Sequence, residues 1–496
     1  MVAVRPEAGS AGTATVRRRS TLRPLVAGGL GSVLITLGSA TRGSPFTEHR
    51  PGSWFFQLGP GGANGRFVGV VAVYVGLLAL LGAWVSLLGE SPAPRRRRLW
   101  AALAAFGGPL VFAGPLFSQD AYSYLAQGQM LSRGLDPYRA GAAALGPGGY
   151  LTHVAPIWRH AISPYGPGFE RLVEGLVLAS GHRLLGALAL WRLVSLASVA
   201  VLAWAVPELA RATGHDPSRA ALWGVLNPLV LVTLLGGMHN DAEMIALVAA
   251  GLVAAVRGRP YLGTVLCSLG AEVKAPALLA VVFLAWWAGR RDGHATGWRR
   301  VGDVVAHLAL AGAVLAAVGA ASGLGWGFVR AAVTPGKVVS WLDPVTALGL
   351  ALSHLAAAAG LGAHRGAFVT AGRAAGLAAA GVLALVLLLR SSRRSWPVHL
   401  GGAFLALALL GPVVWPWYET WGIVLLGVGA GALSGRRAGA LLALSALGCA
   451  ADFPSARVLA SGSPGLVAVG WTAVAVVLAA AAYLNLPRPS RSSLEP

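Results

Sequence analysis

The sequence predicts an all-α, polytopic integral membrane protein with about 14 transmembrane helices. Of its 496 residues, 56% are hydrophobic and only 11% are charged, and the mean hydropathy is +0.66. Soluble domains have roughly 45–50% apolar and about 25% charged residues. The apolar residues also form long continuous runs, and about 20 such residues suffice for one helix to cross a bilayer. This composition excludes a soluble enzyme, a disordered chain and a disulfide scaffold.

The distribution of charge predicts the membrane topology. The formal net charge is +21, and arginine supplies nearly all of it, because the only lysines are Lys274 and Lys337. Arginine clusters lie between apolar runs, as at 95–98 and 393–394. Cytoplasmic loops of membrane proteins carry such clusters, whereas a nucleic-acid-binding protein presents a continuous basic face. We therefore expect membrane lipids as partners and no nucleic acid.

Assigning the arginine clusters to the cytoplasm divides the chain into three regions. Residues 1–25 form a basic cytoplasmic tail, 26–485 a multispanning membrane domain and 486–496 a second cytoplasmic tail. The first apolar run resembles a signal peptide, but the many runs after it favour an uncleaved helix. Both termini are then cytoplasmic in a multi-pass plasma-membrane protein. The predicted transmembrane helices lie near 26–41, 67–89, 98–117, 184–206, 218–236, 241–256, 301–321, 368–389, 397–414, 417–434, 437–450 and 464–485, with two more short helices over 261–289.

Three segments depart from simple crossings. Residues 118–183 form a long external loop with amphipathic helices. Pro276 interrupts the run 261–289, since proline removes a helix donor, and predicts a hairpin of two short helices. Segment 345–361 is expected to be an outer-surface or re-entrant helix, because a further crossing would move the arginines at 393–394 to the outside.

Most of the unusual polar residues fall on the outer side of this topology. Asp120 directly follows a predicted span, and a carboxylate at that boundary is placed to accept a proton from a hydroxyl nucleophile. A helix cap or a solvated loop acid is the alternative for Asp120. Asp136 precedes a proline and predicts a turn. Tyr165 lies in a rigid turn with two prolines and two glycines at 163–168.

Two further segments hold intramembrane or membrane-edge ionisable groups, which are functional candidates by default. His239, Asn240 and Asp241 suggest substrate hydrogen bonding, helix capping or, since histidine and carboxylates bind divalent ions, a metal site. Lys274 needs an anionic partner, either Glu272 or the phosphate of a ligand. The cysteines, at 267 and 449, lie in separate apolar runs and predict neither disulfide framework nor metal site.

The aromatic run WPWY at 415–418 has two interpretations. It is typical of the aromatic belt at a membrane interface. Alternatively, Trp417 and Tyr418 form a platform that stacks sugar rings or guides a lipid tail. Both interpretations put the run at the outer surface.

Six short segments, taken in order, carry a family resemblance. They are QDAYSY at 119–124 followed by AQG at 126–128, GLDPY at 134–138, SPYGP at 163–167, GMHND at 237–241, VKAP at 273–276 and WPWY at 415–418. In this order they resemble the actinobacterial polyprenol-phosphomannose-dependent α-1,6-mannosyltransferases of the MptA/MptB type, which belong to the GT-C glycosyltransferases. The resemblance covers roughly 60–435. The chain departs from the family pattern at Trp415, where a glutamine is expected, and at Ala275, where a proline often stands.

The resemblance implies an inverting glycosyltransferase at the outer membrane face. Mannose would move from polyprenyl-phosphate-mannose to a growing α-1,6-mannan acceptor of the lipoglycan type. Asp120 matches the family's acidic residue in the first external loop, the general base. The leaving polyprenyl phosphate is already a stable anion, so one base suffices and no metal cofactor is expected.

The same resemblance assigns roles to other residues. Positive charge near the departing phosphate stabilises the transition state, and the candidates are Lys274 and His239, followed by Arg133 and Arg159. The remaining residues expected to bind substrate are Tyr122, Tyr124, Gln127, Asp136, Tyr138, Tyr165, Asn240, Asp241, Trp417 and Tyr418. Two alternatives stay open: a transferase of another lipid-linked sugar such as arabinose or glucose, and a transporter or flippase of a lipid-linked sugar. Transporters often have repeated halves, and the absence of an evident sequence repeat favours the enzyme.

Overall fold

The computed structural model describes residues 22–42, 62–90, 93–289, 298–331, 343–361, 364–432 and 435–452, with single residues 59, 334, 336, 338 and 339. Throughout these residues the regular elements are helices, which confirms the all-α prediction. The α-helices are α1 Arg23–Ser39, α2 Gly62–Leu88, α3 Arg96–Val111, α4 Asp120–Ser132, α5 Pro167–Ala179, α6 Leu184–Ala212, α7 Pro217–Ala220, α8 Pro228–Val230, α9 Asp241–Val256, α10 Pro260–Val273, α11 Leu278–Ala288, α12 Trp298–Ser322, α13 Gly327–Ala331, α14 Pro344–Ala358, α15 Arg365–Arg390, α16 Trp396–Leu410, α17 Pro416–Val428 and α18 Arg436–Asp452.

Four of these helices are long and apolar enough to cross a membrane: α2, α6, α15 and the part of α12 from Val301 to Ser322. They match the predicted spans near 67–89, 184–206, 301–321 and 368–389. A fifth span results if the segments Pro217–Val225 and Pro228–Gly236, bent by 50°, cross together. The predicted helix near 464–485, the tail 486–496 and most of the tail 1–25 lie outside the described residues.

The continuous helix predicted over 218–236 is wrong. Two π-helical segments, Ala221–Val225 and Leu231–Gly236, lie on either side of a break before Pro228. Proline has no N–H to donate to the preceding turn. Asn227 caps the restart, where its side-chain oxygen accepts a hydrogen bond from Leu229 N at 3.0 Å. The break therefore has a local cause.

Buried side chains from neighbouring helices bind the backbone of this broken segment. Trp84 Nε1 donates to the carbonyl of Leu222 at 2.7 Å. The buried guanidinium of Arg192, in the middle of α6, donates to the carbonyls of Leu235 and Gly236 and, at 2.7 Å, to that of Ala113. Backbone groups without a regular helical partner need such contacts inside a membrane protein. Arg192 therefore stabilises the backbone of the broken segment from inside the helix bundle.

Close helix packing surrounds this region. A Cβ at Gly31 of α1 would lie 2.6 Å from the carbonyl oxygen of Gly76 in α2, so the two backbones approach where only glycine fits. Small residues permit such contacts between membrane helices. The predicted hairpin over 261–289 is confirmed, because α10 ends at Val273 and α11 begins at Leu278.

The segment between α3 and α6 packs against neighbouring helices, which include α6, α10 and α12. It contains α4, α5 and three 3-10 segments, Ala142–Leu145, Leu151–His153 and Pro156–Trp158. Helix α5 is one of the helices predicted within the external loop 118–183. Helices α4 and α5 touch at Gly128, where a Cβ would lie 2.5 Å from the carbonyl oxygen of Val173. Segment 345–361 also forms a helix, α14, which packs on α15.

Candidate active site

Asp120 is the first residue of α4 and lies at the edge of a cavity. Its backbone N–H donates to Ser118 Oγ at 3.1 Å, and its side chain is 17% exposed. A carboxylate at the start of a helix is stabilised by the helix dipole. The cavity has a volume of about 50 Å³, and its walls include Gln127, Tyr165 and Tyr418. The described residues thus give Asp120 an aromatic, partly open environment.

His239 is the nearest ionisable neighbour of Asp120. The His239 Nδ1 lies 3.6 Å from Asp120 Oδ2, and the imidazole is fully buried. Its ring stacks on Trp417, with centroids 3.8 Å apart and planes 18° from parallel. Met238 precedes it with a φ of +57°, which is uncommon for a residue other than glycine. The indole Nε1 of Trp191 donates to the Met238 carbonyl at 2.9 Å and fixes this turn.

Asp241 and Lys274 form a buried ion pair next to this turn. The Lys274 Nζ lies 2.9 Å from Oδ1 and 2.8 Å from Oδ2 of Asp241. Trp421 Nε1 also donates to Asp241 Oδ1. The ammonium lies 4.5 Å from the ring centroid of Tyr418, a cation–π distance. The expected partner of Lys274, Glu272 or a ligand phosphate, is therefore corrected to Asp241.

Tyr124 links α4 to the same turn. Its hydroxyl donates to Asn240 Oδ1 at 3.2 Å, and Asn240 is fully buried. The Tyr124 ring makes edge-to-face contacts with Tyr165, Phe169 and Trp191. Edge-to-face aromatic pairs add roughly 0.5–1.5 kcal/mol beyond their burial. Asn240 stands at the start of α9, yet its side chain makes no capping hydrogen bond.

The loop that carries Tyr165 docks on the end of α10. Gly166 N donates to the Glu272 carbonyl at 2.8 Å, and Gly168 N donates to Glu272 Oε2 at 2.9 Å. Glu272 Oε2 thus binds this loop, and Lys274 pairs with Asp241 instead. Tyr138 supports the loop from the other side, because its hydroxyl donates to the Tyr165 carbonyl at 2.7 Å.

A buried carboxyl fixes the start of this loop. Ser163 Oγ donates to Glu170 Oε1 and accepts a hydrogen bond from Tyr165 N at 3.2 Å. Burial raises the pKa of Glu170 to about 8, with the Ser163 hydrogen bond opposing the shift. Desolvation penalises the charged carboxylate more than one hydrogen bond restores.

Several predicted site residues lie away from the Asp120 cavity. Asp136 is in the predicted turn, accepts a hydrogen bond from Tyr138 N at 2.8 Å and pairs with Arg139 at 3.2 Å. Tyr122 is buried and contacts the ring of His153, with centroids 5.6 Å apart. Arg133 comes thirteen positions after Asp120, which is roughly 20 Å along a helix.

Arg159, another predicted phosphate ligand, binds a backbone carbonyl of its own loop. Its Nε donates to the Val154 carbonyl at 3.1 Å. Gln127 by contrast lines the cavity, and its Oε1 is buried with no hydrogen-bond partner among the described residues. Gln127 is therefore the polar side chain best placed to bind a ligand beside Asp120. No group of three or more His, Cys, Asp or Glu side chains within the described ranges is arranged to hold a metal ion.

Sequence reasoning missed three contributors to the site. Trp421 lies four residues after Trp417, so helical spacing on one face would have identified it. Glu170 is the acidic residue in the first turn of α5, and Trp158 lines the cavity. Neither Glu170 nor Trp158 stands in a motif that marks it from sequence.

Apolar helices surrounding a buried polar site define an integral membrane protein. Residues 25–290 match the family model described as "Alpha-(1->6)-mannopyranosyltransferase, N-terminal domain", and 345–486 match "MptB C-terminal domain". The chain belongs to the MptA/MptB family of mannosyltransferases, as its resemblance predicted.

Two relatives illustrate the extent of similarity. The chain is 34% identical over 441 residues to alpha-(1->6)-mannopyranosyltransferase A of Mycobacterium tuberculosis, covering 85% of this chain and 82% of that protein. It is 29% identical over 453 residues to alpha-(1->6)-mannopyranosyltransferase B of Corynebacterium glutamicum, covering 82% of this chain and 73% of that protein. The similarity thus extends across most of both proteins.

Proposed function

We propose that this protein transfers mannose from polyprenyl-phosphate-mannose to an α-(1→6)-linked mannan acceptor. The observation that carries the proposal is the carboxylate of Asp120, partly exposed at an aromatic-lined cavity and 3.6 Å from a buried histidine. Membership of the family supports mannose as the sugar and an α-(1→6)-mannan as the acceptor.

Asp120 acts as the general base of an inverting displacement. An acceptor hydroxyl oxygen attacks the anomeric carbon of the β-linked mannosyl donor, and its proton passes to the Asp120 carboxylate. The bond from that carbon to the phosphate oxygen breaks, and polyprenyl phosphate leaves with the bonding electron pair. The product linkage is α. Because the leaving group is already a stable anion, one base is enough.

His239 limits the space open to the Asp120 carboxylate in this step, and its two ring nitrogens have no hydrogen-bond partner among the described residues. Full burial between Asp120 and Trp417 keeps the imidazole from the donor phosphate, which argues against its role as a phosphate ligand. The imidazole is instead a neighbour that restricts the carboxylate. Small displacements of a reacting group cost large factors in rate, so a positioning role has a measurable effect.

Lys274 acts through the cavity wall. The Lys274 ammonium group donates to both carboxylate oxygens of Asp241 and also faces the Tyr418 ring. The pair thus lies against the ring of Tyr418, which lines the cavity that holds Asp120. Tyr165 and Gln127 supply the remaining ligand contacts in the cavity.

The proposed setting is the plasma membrane, with the site at its outer face and both termini cytoplasmic. About 14 transmembrane helices in a GT-C arrangement, with 118–183 as the external catalytic loop, agree with the arginine distribution. The lipid-linked donor fits a compartment without nucleotide sugars. No metal takes part in the proposed step.

The test is an Asp120→Asn variant, with Glu174→Gln as the matched control from the same loop, because the Glu174 carboxylate pairs with Arg171 and does not line the cavity. Purified protein in liposomes receives radiolabelled polyprenyl-phosphate-mannose and a short α-(1→6)-mannoside acceptor, and the product linkage is analysed. Loss of a general base is expected to lower the rate by about 10²–10⁴-fold, whereas the control retains activity. Near-normal transfer by Asp120→Asn contradicts the assignment, and transfer only from another lipid-linked sugar contradicts the donor.

A further inference from the structure

A larger cavity lies at the opposite end of α4 from Asp120. This cavity, the loop pocket, has a volume of about 380 Å³, and its walls include Gln129, Arg133, Tyr150, His153 and His182. None of the described residues lining it also lines the Asp120 cavity. Gln127 lines the Asp120 cavity and Gln129 lines the loop pocket, and residues two apart on a helix face nearly opposite directions. The loop pocket is therefore separate from the proposed catalytic site.

The side chains that line the loop pocket are mainly hydrogen-bond donors. Arg133 is exposed, and among the described residues its Nη1 donates to the Leu145 carbonyl at 3.4 Å while its side chain lines the pocket. The rings of His153 and His182 also form part of the lining. No carboxylate is present among the described residues of the lining. Such a lining favours an anion.

Gln129 and His182 fix each other at the base of the pocket. Gln129 Oε1 lies 3.0 Å from His182 Nδ1, and because an amide oxygen accepts, this ring nitrogen donates. The Gln129 amide nitrogen remains a donor. A positive φ of 61° at His182, in the turn that follows α5, gives this histidine its position. The contact thus joins α4 to the end of α5.

The backbone at the pocket entrance is also suited to close approach by a ligand. Gly148 and Gly149 have φ angles of +92° and +51°, and a Cβ at either position would meet nothing within 4 Å. Consecutive glycines with positive φ leave the main chain uncovered by side chains. Backbone N–H groups without side-chain cover commonly bind phosphate oxygens.

We propose that the loop pocket binds a phosphate group, either on a phospholipid headgroup or as a free phosphate. Small-ligand pockets measure roughly 300–1,000 Å³, so about 380 Å³ leaves room for an organic group attached to the phosphate. Arg133 and the amide nitrogen of Gln129, which His182 holds in place, contact the phosphate oxygens, and the glycine backbone closes one side.

The loop pocket adjoins the first part of α4, the helix that begins at Asp120. His153 lines the pocket, and its ring contacts Tyr122 with centroids 5.6 Å apart. Tyr122 is buried and lies two residues after Asp120. The binding itself is independent of the proposed transferase activity, because it is measured without donor or acceptor.

The test compares the wild-type protein with an Arg133→Ala/His182→Ala double variant. Arg139→Ala is the matched control, since Arg139 is a solvent-exposed arginine in the same loop whose ion pair with Asp136 is also exposed. Thermal unfolding of detergent-solubilised protein is followed against inorganic phosphate at constant ionic strength. Native mass spectrometry of protein from phosphatidylglycerol-containing nanodiscs then detects bound phospholipid.

A free-phosphate site is supported if phosphate stabilises the wild type and the control, and if the double variant binds at least about tenfold more weakly. A headgroup site is supported if phospholipid copurifies with the wild type and the control but not with the double variant. If neither ligand distinguishes the double variant from the wild type, the proposal is overturned. Folding of the variant is checked by its unfolding midpoint without phosphate.

Discussion

The imidazole of His239 lies between the carboxylate of Asp120 and the indole of Trp417. Its Nδ1 is 3.6 Å from Asp120 Oδ2, and its ring centroid is 3.8 Å from that of Trp417. One side of the Asp120 carboxylate therefore lies against a side chain with no exposed surface, and Asp120 also lines the cavity.

Replacement of this histidine separates positioning from binding. We expect His239→Ala to lower kcat by about 10²-fold, because a displaced carboxylate no longer meets the acceptor hydroxyl, and to change KM little. Steady-state mannose transfer measures both constants. Trp417→Phe, which keeps an aromatic face for stacking, is the control and should lose less. A rise in KM with unchanged kcat would identify His239 as a substrate ligand instead.

The Asp241–Lys274 pair should behave as a coupled unit. Removal of one partner leaves a buried charge and costs about 3–5 kcal/mol, whereas removal of both costs less. We expect Lys274→Met to lower the unfolding midpoint more than the Lys274→Met/Asp241→Asn double variant does. Thermal unfolding of the single and double variants completes the cycle. Additive losses in the double variant would show that the two residues act independently.

Glu170 should make stability depend on pH. Its pKa rises from an ordinary 4.5 to about 8 on folding, so the folded protein binds the proton more tightly than the unfolded chain. Stability from this group is present at low pH and falls as pH rises from about 4.5 to about 8. We expect Glu170→Gln to flatten that decline, because glutamine does not titrate. Its amide oxygen still accepts a hydrogen bond from Ser163, so the loop keeps its contact.

The measurement for Glu170 is the unfolding midpoint across this pH window. Glu174→Gln is the control, because Glu174 lies one turn later on α5 and pairs with Arg171 at 2.6 Å. Equal slopes for the wild type and Glu170→Gln would contradict the shift.

Gly166 should be intolerant of a methyl group. An added Cβ would lie 2.4 Å from the Glu272 carbonyl oxygen. We expect Gly166→Ala to displace the Tyr165 loop, lower stability by about 1–3 kcal/mol and reduce transfer. Gly175→Ala is the control, because a Cβ there meets nothing within 4 Å. Unchanged activity and stability in Gly166→Ala would show that the loop adapts without loss.

Some of the architecture was accessible from local sequence. Helices α2, α6, α12 and α15 lie where apolar run length predicted them, and Pro276 predicted the hairpin break. The break before Pro228 had the same kind of local signal, yet the surrounding apolar run concealed it. Arg192 had no local signal, because its role comes from carbonyls on two other segments.

The site divides in the same way. Its short motifs identified Asp120, His239 and Lys274 as candidates, because isolated ionisable residues in an apolar chain are conspicuous. Their partners were not evident: Lys274 pairs with Asp241 across 33 residues, and Trp421 reaches Asp241 across 180. Arg133, grouped with them from sequence, lies at the far end of α4.

The amino-acid composition and the order of the motifs establish the helical class, the membrane setting and the family. These properties depend on the length of apolar runs and on short motifs, which are visible without the tertiary structure. The tertiary structure decides which polar groups meet: Asp120 with His239, Asp241 with Lys274, and Glu272 with the Tyr165 loop. A buried charge is stable only beside a partner, and that partner is set by the packing of distant helices.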